Sequence, residues 1–406
     1  MIIPPAARTE NVKEYYFSVK NKELARLGAE RAARGEPPVI NLGIGSPDGM
    51  PPEPALDVLC RECRKEGSSR YQSYTGLPEL RKAFADWYLR YYGVTLDPAS
   101  EIQPLMGSKE GILILSLSFL NPGDKVLVPD PGYPTYSSAT ALSGAVMVPY
   151  SLKKENGWQP DFDAIEKDLP EGVKMMWMNY PNMPTGAPAS MQTYRRAVEF
   201  GLKHKILIVN DNPYSFILND KPLSIFGAPG AFECCLELNS LSKAHNMAGW
   251  RVGMVAGQAD MITQILKVKS QQDSGMYKPL QIAAAEALRS GPEWYKALNA
   301  KYSERRVLIR KIFDRIGAGW EEDSAGLFVW GHVRDDSPAL RLRPSQEGRT
   351  RGEAVSDAIL YGCGVFITPG FVFGRSGDDY IRSSLCASKE TLDEAYARID
   401  AMLSCK

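Results

Sequence analysis

Between about residues 50 and 285 the chain alternates two hydrophobic periodicities. Leu80, Ala83, Phe84, Trp87, Tyr88 and Tyr91 recur at helical spacing, and Pro78 suits the first turn of that helix. Between such segments lie short apolar runs bounded by turn residues: KVLVP (125–129), AVMVPY (145–150), VKMMWMN (173–179), ILIVND (206–211), CCLELNS (234–240) and VGMVAG (252–257). Several are near-continuous rather than alternating, the pattern of strands covered on both faces. The alternation predicts an α/β fold whose mostly parallel central sheet is sandwiched by helices. Past about residue 290 the pattern changes to a long helix from Glu293 to Ile316, the strand-like LFVWGHV, a polar loop and an amphipathic helix from Lys389 to Leu403. This predicts a smaller α+β domain. The first fifty residues are Pro-rich and irregular, and are expected to lean on it. The domains therefore read as 51–285, and 1–50 together with 286–406.

Composition narrows the function classes. The 406 residues carry 48 Lys+Arg against 48 Asp+Glu, a zero balance that argues against a general nucleic-acid binder. Seven cysteines are too sparse for a disulfide scaffold, and Cys60-x-x-Cys63 has no second pair to complete a zinc ribbon. Three scattered histidines do not make a metal site, so no metal is expected. The longest apolar stretch, Ile112 to Leu120, is half a membrane span. The N-terminal segment lacks the apolar core of a secretion signal, and a cytoplasmic location is the expectation.

Ligands of parallel sheets bind beyond the carboxyl ends of the strands, so the residues after each run carry the chemistry. NSLSKAHNMAGWRVG (239–253) places Lys243 just after a buried-type strand, where desolvation lowers an amine's pKa toward nucleophilicity. Ser240 and Arg251 flank it as a hydroxyl and a fixed cation suited to a phosphate. Ser240 and Lys243 also spell S-x-x-K, but the partner motifs of a serine β-lactamase are missing. Asp211 at a strand end needs a cation, such as a protonated heterocycle nitrogen, and Tyr214 can offer a phenol to the same ring. In LMGSKEG, Gly107, Ser108 and Lys109 aim backbone N–H groups at an anion. Tyr133 is placed to stack on a planar ligand, and Asn182 lies near the same edge. Arg382, in an otherwise apolar strand, has a planar fork that suits a carboxylate. GIGSPDG (43–49) is no dinucleotide loop, because its third glycine is misplaced and no helix follows. Each cluster also has a plain structural reading: a solvated Lys, a helix-capping Asp, an Arg paired to an Asp. Together they fit one ligand type, a phosphorylated aromatic aldehyde acting on amino acids.

The sequence resembles the class I/II pyridoxal-phosphate aminotransferases of fold type I. The matching motifs are Y-x(4)-GLPELR from Tyr71 to Arg81, GSKEG, PGYP, PN-x-PTG, D-x-x-Y, S-x-S-K-x(6)-WR-x-G and Y-I-R, in the family's order over residues 40 to 390. The resemblance implies pyridoxal 5'-phosphate as cofactor, with Lys243 as the imine-forming lysine. It implies that Asp211 pairs with the pyridine nitrogen, that Tyr214 bonds the ring's phenolic oxygen and that Tyr133 stacks on the ring. Phosphate contacts would come from Ser108, Lys109, Ser240 and Arg251, with Tyr71 reaching across from the partner subunit of a homodimer. Arg382 would bind the substrate α-carboxylate, against Gly43. The family's Asn before Pro-Thr-Gly is here Met183, so either a shifted loop lets Asn182 replace it or Tyr214 holds the ring oxygen alone. A lost hydrogen bond at this point would retune the cofactor or weaken its binding. The implied activity moves an amino group between an L-amino acid and a 2-oxo acid by a ping-pong route, in the branch of aspartate and LL-diaminopimelate enzymes. Donor selection falls to loop residues such as Lys278, Tyr15 and Tyr16. A C–S β-lyase of the same fold is the alternative. A sensor domain of a transcription regulator would need an added DNA-binding module for which fifty residues leave no room.

Overall fold

A computed structural model describes residues 2–10, 12–342 and 348–404, so part of the polar loop, residues 343–347, lies outside the described residues. A short strand, β1 (Ile40–Asn41), comes first. The next seven form one sheet: β2 (Ile102–Leu105), β3 (Lys125–Asp130), β4 (Val146–Ser151), β5 (Val173–Asn179), β6 (Leu207–Asp211), β7 (Cys235–Ser240) and β8 (Gly253–Gly257). Their order is β2-β8-β7-β6-β5-β3-β4. From β4 to β7 every neighbour is parallel, whereas β8 runs antiparallel to β7 and β2 antiparallel to β8. The fold is α/β with a mostly parallel central sheet.

The apolar runs are continuous because the two faces bury different halves of each strand. Met175, Trp177, Val209, Leu236 and Leu238 enter one core, and Met176, Met178, Ile208 and Cys235 the other. The strand β4 departs from the expectation of double cover. It lies at the sheet edge, and Val146 and Met147 are 49% and 44% exposed. Parallel pairing brings the carboxyl ends of β3, β5, β6 and β7 to one rim, at Asp130, Asn179, Asp211 and Ser240.

The later residues form a second sheet from β9 (Ala318–Trp320), β10 (Phe328–Val333), β12 (Thr368–Pro369) and β13 (Tyr380–Ser384), while β11 (Val365–Phe366) pairs in parallel with β1. A helix over Pro292–Ile316 begins with proline in its first turn and ends at Gly317, whose φ is +84°. The N-terminal segment differs from its irregular reading, because Tyr16–Ala33 is an 18-residue helix. It buries only Leu24, Leu27 and Arg31, so it has no broad apolar stripe to betray it. Leu24 and Leu27 pack on Leu360 and Phe366, which ties this helix to the C-terminal elements.

Candidate active site

The rim of the large sheet and the second sheet enclose a cavity of about 500 Å³. Lys243 enters it from the short helix Leu241–Ala244, which starts where Ser240 Oγ accepts the Ser242 N–H at 3.0 Å. Its Nζ donates to the Gly45 carbonyl at 2.5 Å. Burial pulls the ammonium's pKa down, and the charges of Arg382 and Arg251 act in the same direction.

Asp211, 4% exposed, faces the same cavity. Its Oδ2 accepts the Tyr136 hydroxyl at 2.9 Å, whereas Oδ1 is buried without a partner. Tyr136 is held by stacking on Trp177 with ring centres 5.0 Å apart, and Asn179 Nδ2 donates to the Asp211 carbonyl at 2.6 Å. Burial pushes the carboxyl pKa up to about 7, against the pull of the Tyr136 hydrogen bond and the Lys243 charge. A buried carboxylate with one free oxygen calls for a donor or cation in the cavity.

An anion cup lies at another wall. Gly107, at φ +81°, precedes the helix Ser108–Phe119, whose first N–H groups and positive dipole end open toward Arg251 and Ser240. A Cβ at Gly107 would lie 2.2 Å from Arg251 Nη2, and one at Gly253 would lie 2.8 Å from the Ser108 nitrogen. The absence of those atoms lets the cup close. Arg251 donates to the Ala248 carbonyl at 2.9 Å, and no carboxylate among the described residues pairs with it.

Arg382 lies in β13 between Thr368 of β12 and Trp330 of β10, and is 4% exposed. Nη2 donates to the Gly43 carbonyl at 2.7 Å, Nη1 approaches Met183 Sδ at 3.2 Å, and Nε is buried without a partner. Its guanidinium lies over the rings of Phe328 and Phe373, at 3.9 and 4.5 Å. The structural alternative of an Arg–Asp pair is not realised among the described residues. Desolvation accordingly brings the pKa down to about 10. Gly43 permits the approach, because a Cβ there would lie 2.6 Å from the Phe366 ring.

Of the residues singled out in the sequence, Lys243, Asp211, Tyr214, Tyr133, Ser108, Lys109, Ser240, Arg251, Gly43 and Arg382 line this one cavity. Asn182 does not, which corrects the expectation for it. Its Oδ1 accepts the Thr185 N–H and hydroxyl, and its Nδ2 donates to the Asn179 carbonyl, so its amide is consumed within the turn. Met183 lines the cavity instead. Tyr71 is 89% exposed and lies outside the cavity of its own chain. Tyr15 lines the cavity beneath the Lys109 ammonium, 4.2 Å from its ring centre, whereas Tyr16 and Lys278 do not line it. The sequence reading missed Tyr136, Asn179 and Ser242; the signal for the first two was their place beside Tyr133 and at the end of β5.

A free carboxylate oxygen, a desolvated amine, a glycine-lined anion cup and a stacking tyrosine fit pyridoxal 5'-phosphate, and leave Arg382 over for a substrate carboxylate. Residues 37–399 match the model of the family described as aminotransferase class I and II. The chain belongs to the class I and II aminotransferases. LL-diaminopimelate aminotransferases from Dehalococcoides mccartyi and Moorella thermoacetica are 39% and 38% identical to this chain, and the matches cover 97% and 98% of both partners. The apo structure of BacF from Bacillus subtilis superposes with a TM-score of 0.90 at 32% identity, over 99% of this chain and 98% of the other. This aminotransferase depends on pyridoxal phosphate and moves an amino group between an amino acid and a 2-oxo acid.

Proposed function

We propose that Lys243 is the residue that bonds the cofactor and handles the proton, in an enzyme whose donor is LL-diaminopimelate or aspartate. What carries the reading is one cavity that holds the desolvated Lys243 amine together with the free oxygen of Asp211 and an Arg382 that pairs with no carboxylate among the described residues. When bound, the cofactor supplies the electron sink for negative charge at the substrate Cα. Asp211, through its free Oδ1, would hold a proton on the ring nitrogen, and Tyr214 would offer its hydroxyl to the ring oxygen. Ser108, Lys109, Ser240 and Arg251 would hold the phosphate, and Tyr133 would cover the ring. Arg382 fixes the α-carboxylate, and so decides which bond at Cα faces the sink. Lys243, its amine desolvated in the cavity, would take the Cα proton and return it. The donor leaves as an oxo acid before a second oxo acid enters, which gives ping-pong kinetics.

The donor is inferred from the relatives' names and from the Lys109 ammonium, a cation in the cavity without a carboxylate partner among the described residues. The exposure of Tyr71, with Tyr74 and Tyr277 also exposed, supports a homodimer in which Tyr71 completes the neighbouring site. The units 51–285 and 1–50 with 286–406 are inferred as its large and small domains. A cytoplasmic enzyme is the matching location; no helix among the described residues is long and apolar enough to cross a membrane.

The test is a panel of amino donors and oxo acids, read by the absorbance of the bound cofactor and by product oxo acid. Amino transfer from LL-diaminopimelate or aspartate is expected, with at least about a 10³-fold loss in Lys243→Ala. Oxo-acid-independent release of pyruvate from cysteine conjugates would instead identify a lyase, and retained turnover in Lys243→Ala would remove that lysine from its role.

A further inference from the structure

The turn that follows β1 presents a carbonyl to each of the two site cations, Gly43 to Arg382 and Gly45 to Lys243. Both positions exclude side chains, since a Cβ at Gly45 would lie 2.2 Å from the Phe328 ring. The backbone at Gly43 and Gly45 packs on the Phe366 and Phe328 rings, but beyond them the turn offers little side-chain packing, Ile44 and Met50 being exposed. Its far end is instead held by an ion pair. Arg305, 5% exposed on the helix Pro292–Ile316, grips Asp48 with both nitrogens, Nη1 to Oδ1 at 2.8 Å and Nη2 to Oδ2 at 2.6 Å. The same Nη1 donates to the Leu385 carbonyl at 3.1 Å, one residue beyond β13. The Ser384 N–H in turn reaches the Leu42 carbonyl at 2.7 Å. Arg305 thus ties the strand that carries Arg382 to the turn whose carbonyl orients Arg382. A second tether, Asn246 Nδ2 to the Met50 carbonyl at 3.0 Å, joins the turn to the segment after Lys243.

We infer that the Asp48–Arg305 pair is a positioning device for carboxylate recognition, rigidly setting the Gly43 carbonyl and through it the Arg382 fork. The inference rests on the reading of Arg382 as the residue that takes the substrate carboxylate. Loosening the pair lets the turn drift and costs binding at Arg382. Asp211 and Ser240 end β6 and β7, Ser108 opens its own helix, Lys243 stands on the helix Leu241–Ala244 and Arg251 precedes β8, all outside the turn. Cofactor retention is therefore expected to hold, although the Gly45 carbonyl moves with the turn. Donor and oxo acid present the same carboxylate to the same Arg, and their binding weakens by the same factor.

The experiment compares Asp48→Asn, Asp48→Glu, Arg305→Lys and Arg382→Lys as cofactor-loaded enzymes, with the donor and acceptor found by the panel. Asp48→Asn is expected to raise both KM values about tenfold with kcat within about twofold and the cofactor absorbance unchanged. Asp48→Glu recovers most of that loss. Arg305→Lys, which keeps the buried charge but not the two-pronged grip, falls between them. If both KM values stay put in Asp48→Asn while Arg382→Lys raises them, the positioning role is wrong. A fall in kcat or lost cofactor absorbance with unchanged KM would make the pair merely structural, and an unmoved KM in Arg382→Lys would overturn the underlying reading of Arg382.

Discussion

Asp211→Asn isolates the electrostatic cost that the site carries before its cofactor arrives. In the cofactor-free protein the Asp211 carboxyl titrates at about 7 rather than at its ordinary 3.8, because burial disfavours the charged form. At 1.36 kcal/mol per pH unit, that rise corresponds to about 4 kcal/mol. The folded state holds this proton more tightly than the unfolded chain does. The group's contribution is therefore complete below pH 3.8 and is lost as pH rises through about 7. Asn cannot titrate, so groups that do not feel Asp211 cancel in the difference between the two proteins. Relative to the variant, the wild type should lose up to about 4 kcal/mol of stability between about pH 4 and pH 8. Urea unfolding of both cofactor-free proteins at steps across that range, followed by tryptophan fluorescence, measures it. Adding pyridoxal phosphate to the wild type should flatten the slope, because a ring cation beside Oδ1 favours the ionised acid. Parallel pH profiles for the two cofactor-free proteins would refute the burial argument.

Three further outcomes follow from the same geometry. Arg382→Ala removes a buried cation that no carboxylate among the described residues offsets, so stability should hold while KM for donor and oxo acid rises about 100-fold, near 3 kcal/mol, as steady-state kinetics reads it. Met183→Asn puts an amide where a thioether now meets Arg382; the pH midpoint of the bound cofactor's absorbance change should fall by about one unit, and an unmoved midpoint would show that the amide finds no ring oxygen. Gly107→Ala forces a side chain into a φ of +81° and against Arg251, so the dissociation constant of the cofactor should rise at least about tenfold in an equilibrium titration, with the fold retained by circular dichroism.

Continuous apolar runs announce buried strands because a strand covered on both faces has no polar side to show. For that reason β5, β6 and β7 were legible in the chain, and with them the residues that each strand delivers to the rim. The edge strand β4 carries the same pattern without the same cover, since apolar content alone does not reveal whether a neighbour or helix lies outside. The helix Tyr16–Ala33 escaped for the opposite reason, as it buries only Leu24, Leu27 and Arg31 and so shows no broad apolar stripe. Asn182 and Met183 mark the same limit within the site. Their order along the chain says that both lie in one turn, but which side chain faces the cavity depends on how the turn spends its hydrogen bonds, and the Thr185 hydroxyl and N–H consume the Asn182 amide.

The sequence by itself determined the fold class, the family and the inventory of chemical groups, because these depend on local periodicity and on motifs that act within a few residues of one another. Only the tertiary structure decided that the Oδ1 of Asp211 and the Nε of Arg382 were left without partners and that the Lys243 amine meets only a backbone carbonyl. It also decided that Tyr136 braces Asp211 and that Arg305 reaches Asp48 from 257 residues away in the chain. Burial and pairing are sums over everything that packs around a group, and no local stretch of chain contains that sum.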